Sequence, residues 1–145
     1  MHYSERLLGS IRRAEQATQA AKERALRPFD MTPAQQSVLA VLSDNAGMTG
    51  AELARRCGVT PQTMNSTLVR LERRGLIERR AHPVHGTLIE VRPTPEGSDV
   101  FERADGRVAE LDAALGAALE PAELDQLKSL LERVTRVARD LGAPG

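Results

Sequence analysis

Three Thr-Pro dipeptides, Thr32-Pro33, Thr60-Pro61 and Thr94-Pro95, divide this 145-residue chain into helical segments and constrain its fold more than any other feature. A threonine hydroxyl accepts from an otherwise unpaired N–H of the first helical turn, and proline at the first helical position lacks the N–H that would go unpaired there. Gln35 follows Thr32 at the reciprocal capping-box spacing, and Glu52 follows Thr49 in the same way. Glu120-Pro121 gives a weaker start. Between the starts, apolar residues recur at spacings of three and four, as at Leu7, Ile11 and Ala14 and at Ala34, Val38, Val41 and Leu42. These signals predict helices over 4–27, 33–44, 50–57, 61–74, 95–118 and 121–141. Residues 76–92 break the helical period. There Ile77, Thr87, Ile89 and Val91 flank a stretch in which Pro83 and Gly86 supply turn chemistry, and this predicts a two-stranded hairpin. The fold class is mainly α with a small β-hairpin. Residues 142–145 read as a frayed tail.

Composition narrows the function classes. Three aromatics argue against base-stacking surfaces, and the single Cys57 excludes an internal disulfide or a zinc site built on two cysteines. His82 and His85 form a close pair without a nearby Cys, Asp or third His, so no metal site and no cofactor are expected. Glycine-rich phosphate loops, nucleophile elbows and paired catalytic carboxylates do not occur, and the chain does not read as an enzyme. No signal-peptide pattern and no membrane-length apolar run are found, so a cytoplasmic protein without a membrane partner is expected. Net charge is zero, yet residues 49–92 carry +4, with every cation an arginine, against +1 before and −5 after.

The basic middle contains a second signal. A short helix ends at Gly58, whose freedom suits a tight turn, Val59 is expected to plug the core beneath it, and Thr60-Pro61 starts the next helix at once. Two helices so joined make a helix-turn-helix, and the following hairpin makes it winged. In the second helix Met64, Leu68 and Leu71 share an inner face, while Gln62, Asn65, Ser66, Val69, Arg70 and Arg73 lie opposite. Gln and Asn suit adenine edges, Arg guanine or phosphate, and Val69 a thymine methyl. Gln62, Asn65, Ser66 and Arg70 are therefore the expected base readers. Thr60, Thr63, Arg73, Arg74 and the wing residues Arg79, Arg80, His85 and Thr87 are the expected phosphate holders. The alternative is a dimeric winged-helix module that binds protein and not DNA, and salt dependence separates the two.

The runs Met31-Thr32-Pro33-Ala34-Gln35-Gln36-Ser37-Val38-Leu39, Glu52-Leu53-Ala54, Gly58-Val59-Thr60-Pro61-Gln62-Thr63 and Arg70-Leu71-Glu72-Arg73-Arg74-Gly75-Leu76-Ile77-Glu78-Arg79 resemble the multiple antibiotic resistance regulator (MarR) family. Thr94-Pro95-Glu96-Gly97, opening the helix after the wing, continues the likeness. The resemblance implies a homodimeric transcription regulator, usually a repressor of a double-stranded DNA operator, often released by a small aromatic or phenolic effector. The wing departs from the family pattern. Family wings commonly carry Asp-Pro-x-Asp followed by Arg, whereas this chain has His82-Pro83-Val84-His85-Gly86-Thr87. Backbone contact through Arg79, Arg80 or a protonated histidine, with less reading of sequence, is the expectation for this wing.

Two segments have interface character. Leu124, Leu127, Leu131, Val134 and Leu141 form a seam along the last helix, widened by Leu130 and Val137, and Leu7, Leu8 and Ile11 form a stripe near the start. One domain over 1–145 is expected, with dimerisation helices at 1–30 and 95–142, a reader at 31–94 and a tail at 143–145. An effector pocket is expected between reader and dimer helices, lined by Phe29, Met31 and Met48. Cys57 reads as a small core residue, with a redox switch as the alternative.

Overall fold

The computed structural model describes residues 1–45 and 47–143, so Pro144 and Gly145 of the expected tail lie outside the described residues. The described residues form six α-helices: α1 Leu7–Leu26, α2 Pro33–Asp44, α3 Gly50–Cys57, α4 Pro61–Arg73, α5 Pro95–Gly116 and α6 Pro121–Gly142. The threonine starts act as their spacing predicts. The Oγ1 atoms of Thr32, Thr49, Thr60 and Thr94 accept from the N–H groups of Gln35, Glu52, Thr63 and Gly97 at 3.1, 3.2, 3.1 and 3.0 Å. Thr94 also donates to the Gly75 carbonyl at 2.6 Å, so one hydroxyl caps α5 and ties it to the end of α4's turn. The expected 4–27 helix is shorter than its pattern. Tyr3–Glu5 forms a 3₁₀ turn, Arg6 is extended, and a second 3₁₀ turn, Arg27–Phe29, follows α1. Pro28 cannot continue an α-helical hydrogen-bond ladder, and Asp30 turns the chain with a left-handed φ of 50°.

The hairpin needs one correction. β2 (Ile77–Ala81) and β3 (Ile89–Pro93) pair antiparallel, but a third strand, β1 (Met48–Thr49), pairs with the other edge of β3, in the order β1-β3-β2. Two residues are too few to show an alternating pattern, and Thr49 is already marked as a helix cap. With both edges occupied, β3 becomes the central strand. On it Glu90, 3% exposed, receives Arg92 Nε at 2.8 Å. A carboxylate buried without a partner is costly, so the pair offsets its own desolvation. Gly47 leads into β1 at φ +85°, and a Cβ there would stand 2.8 Å from Arg92 Nη2. The guanidinium is the flexible end of a side chain and could move aside, so it is the positive φ that calls for glycine here.

Two compact units divide the chain, Met1–Val108 and Ala109–Gly145, with the boundary inside α5. In the first, Leu26, Val38, Leu39, Leu42, Leu53, Leu68, Leu71, Ile77 and Val91 are almost wholly buried and join α1, α2, α3, α4 and the sheet in one core. Burying a side chain of this size contributes about 1.5–3 kcal/mol. α5 docks on this core through Gly97, Phe101 and Ala104. Gly97 passes so close to Leu76 that a Cβ would fall 1.9 Å from its carbonyl oxygen. The second unit holds the end of α5 and all of α6, a helix with no buried residue.

Candidate nucleic-acid interface

α3 ends at Gly58, which adopts φ 68° and satisfies the last carbonyls, while Val59 N–H donates to the Ala54 carbonyl at 3.0 Å. That tight exit lets α4 begin three residues later. The backbone of Val59 serves the turn, but its side chain is 37% exposed and does not plug the core. The Schellman-type bond already closes the turn, so no side chain is needed beneath it.

α4 separates its faces as expected. Met64, Leu68 and Leu71 are buried; Gln62, Thr63, Asn65, Ser66, Arg70 and Arg73 are exposed, and Val69 is half-buried. Ser66 Oγ donates to the Gln62 carbonyl at 3.2 Å and Thr60 Oγ1 to Thr63 Oγ1 at 3.0 Å, which leaves the Thr63 hydroxyl its own proton to donate. Arg70 and Arg73 have no protein partner among the described residues. The result is an exposed helix face of polar and cationic groups on which Arg70 and Arg73 have no partner among the described residues.

Arg74 differs from its neighbours. Its Nη1 donates to the Asp30 carbonyl at 2.6 Å and to Gln35 Oε1 at 3.3 Å, and Nη2 to the Phe29 carbonyl at 3.2 Å. The guanidinium thus braces the end of α4 against the turn between α1 and α2. Arg79, on β2, is also turned inward: Nη1 donates to Asn65 Oδ1 at 3.2 Å and Nε lies 3.9 Å from Glu72. Arg80 pairs with Glu78 on the same strand. Neither the Arg74 brace nor the Arg79–Asn65 bond has a sequence signal, because arginines 73, 74, 79 and 80 look alike until the fold gives them neighbours.

At the wing tip His85 and Thr87 are exposed, and His82 is structural. His82 Nδ1 accepts from the N–H groups of Val84 at 3.1 Å and His85 at 3.0 Å. A side-chain acceptor folding back on the next backbone N–H groups is what an aspartate does in an Asx turn, so this histidine fills the acidic position's turn-forming role. We expect His82→Asp to preserve the turn and His82→Ala to speed amide exchange at Val84 and His85 severalfold; equal exchange in both variants would refute the role.

Cys57 is half-buried against the core, and burial pushes its thiol above the ordinary range. Only the thiolate is nucleophilic, so iodoacetamide at pH 8 should alkylate Cys57 several times more slowly than free cysteine. A faster reaction would restore the redox reading.

A cleft of about 600 Å³ opens between the α1–α2 turn and the end of α4, with Glu23, Arg27, Met31, Pro33, Arg70 and Arg73 in its wall. Met31 lines it as the sequence suggests. Met48 does not: its side chain is buried in the core beside β3, and Phe29 packs against that core. Of the expected dimer residues in the first unit, Leu7 and Leu8 are exposed and Ile11 is half-buried. In the second unit Leu127, Leu131 and Leu141 are exposed, with Leu124 and Val134 half-buried.

A helix-turn-helix with a free basic face, followed by an antiparallel wing, defines a winged-helix nucleic-acid reader. The MarR family model matches residues 29–86. The HTH-type transcriptional repressor Rv2887 of Mycobacterium tuberculosis is 34% identical over 110 residues, 76% of this chain and 79% of the relative. The solved repressor CouR superposes with TM-score 0.85 at 29% identity, covering 91% of this chain and 94% of CouR. The PcaV regulator of Streptomyces coelicolor gives TM-score 0.81 at 26% identity, covering 95% and 97%. The chain belongs to the MarR family of winged-helix transcription regulators.

Proposed function

We propose that the chain is a cytoplasmic, non-catalytic repressor that binds a pseudo-palindromic operator as a homodimer and is released by a small organic anion. The observation that carries the reading is the exposed polar and cationic face of α4, where Arg70 and Arg73 have no partner among the described residues. Gln62, Asn65, Ser66 and Arg70 would meet base edges, and Thr60, Thr63, Arg73 and Arg80 would meet phosphates, with His85 and Thr87 at the wing tip beside the backbone. A two-fold dimer would present two such helices to successive major grooves, about 34 Å apart. CouR has been solved on a 23-mer DNA duplex, which supports this use of the shared fold.

Release is supported by the cleft beside α4. Its lining joins apolar Met31 and Pro33 to Arg27, Arg70 and Arg73, cations without a side-chain partner among the described residues that outnumber the acids Glu23 and Asp30 beside them; this suits an aromatic carboxylate, and two of those arginines belong to the reader. Rv2887 has been solved with p-aminosalicylic acid and PcaV with its natural ligand. No described helix is long and apolar enough to cross a membrane.

Selection of duplexes from a random pool, followed by titration in salt, tests the proposal. Contacts to six or more phosphates should reduce affinity about 10³-fold between 50 and 200 mM salt, because each neutralised phosphate releases counterions. A flat salt response, or no recovered duplex, favours the protein-interaction module instead.

A further inference from the structure

Asn65 and Arg79 come from different elements, α4 and β2, and meet at 3.2 Å through Oδ1 and Nη1. Chemistry fixes which amide atom faces the wing: a guanidinium only donates, so its partner must be the carbonyl oxygen. The oxygen and nitrogen of a carboxamide diverge, so an oxygen tied to β2 turns the N–H₂ group away from it. That nitrogen has no partner among the described residues, and Asn65 is exposed.

Arg79 is poorly placed to do anything else. Its Nε and Nη2 are enclosed and make no hydrogen bond, in a recess between α4 and β3 lined by Pro61, Met64, Leu68, Ile89 and Val91. Shut away from solvent, they cannot form the two-pronged contact with a phosphate that the sequence suggests. The Glu72 carboxylate stands 3.9 Å from Nε, within ion-pair range but beyond a hydrogen bond, so it balances the guanidinium charge while Nη1 keeps its bond to Asn65.

We propose that Arg79 is a positioning residue that fixes Asn65 as a donor toward the major groove, so that Asn65 selects guanine over adenine. Pairing with adenine takes both heteroatoms of the amide, the oxygen to N6 and the nitrogen to N7. With the oxygen engaged, adenine's N6 donor is left facing no acceptor. Guanine offers N7 and O6, both acceptors, to the outward N–H₂, and cytosine offers only a donor. Asn65 then reads the opposite purine from the one its residue type suggests. The inference rests on the operator-binding reading above.

Duplex selection with four proteins tests it: the parent chain, Asn65→Ala, Asn65→Asp and Arg79→Met. The operator position read by Asn65 is the one whose preference Asn65→Ala erases. There the parent should favour guanine over adenine by about fivefold or more. Arg79→Met should lose that preference, shifting toward adenine, while other positions and the salt slope stay as in the parent. Asn65→Asp keeps an oxygen for Arg79 but has no donor, and should replace guanine with cytosine, a result that does not depend on Arg79→Met folding. The inference is overturned if the parent prefers adenine, if Asn65→Asp retains guanine, or if Arg79→Met weakens all duplexes evenly and lowers the salt slope by about one, as a phosphate contact would. A parent chain that selects no duplex overturns the operator reading itself, a distinct result.

Discussion

Replacing Gly97 with alanine should destabilise the first unit by about 3 kcal/mol, the upper end for one methyl group forced into a packed site. The new Cβ would lie 1.9 Å from the Leu76 carbonyl oxygen and 2.8 Å from its carbon. Both obstacles are backbone, so no rotamer change relieves them. Either α5 moves off the core, withdrawing Phe101 and Ala104, or the end of α4 shifts and breaks the Thr94–Gly75 bond. Gly106 supplies an internal control nine residues along the same helix, because a Cβ there meets nothing within 4 Å. Gly106→Ala should stabilise by up to ~1 kcal/mol through helix propensity alone. Thermal unfolding should place the two variants on opposite sides of the parent, with Gly97→Ala lower by roughly 6–12 °C. A Gly97→Ala midpoint within two degrees or so of the parent would show that the close approach does not hold the fold.

The largest functional effect is expected from charges on the α6 seam. Leu127→Asp combined with Leu131→Asp should yield a folded monomer whose operator affinity is lower by at least about 100-fold. Both leucines are more than two-fifths exposed within the single chain, so its own packing loses little. Across a dimer interface, however, the same change would bury four carboxylates, two from each copy, without partners. Loss of the partner removes the second half-site's effective concentration, commonly worth 10²- to 10⁴-fold. Light scattering reads the assembly and fluorescence anisotropy the affinity. A double variant that remains dimeric would refute the seam.

How much of this was legible beforehand depended on whether the determinant was local. Thr32, Thr49, Thr60 and Thr94 announce helix starts because their partners lie three residues away, and each bond forms. The inner face of α4 is legible for the same reason. β1 is not: Met48 pairs with Val91, more than forty positions on, and two residues carry no period. Arg74 and Arg79 escape notice because an arginine's role depends on which acceptors the fold delivers, here the carbonyls of Phe29 and Asp30 and the amide of Asn65. His82 was visible as a departure from a family pattern, but its use of Nδ1 as a turn acceptor required the turn itself.

The division of α4 into two faces has a consequence for how such a reader diversifies. Gln62, Arg70 and Arg73 lend no side-chain atom to the core, so exchanging them should change stability by no more than about 0.5 kcal/mol. A lineage carrying this fold can therefore drift to new operators through single substitutions that leave the protein as durable as before. Asn65 is the exception on that surface. It is tied to Arg79 on another element, so its base preference can be changed from two places, at Asn65 itself or at a β2 residue that need touch no base.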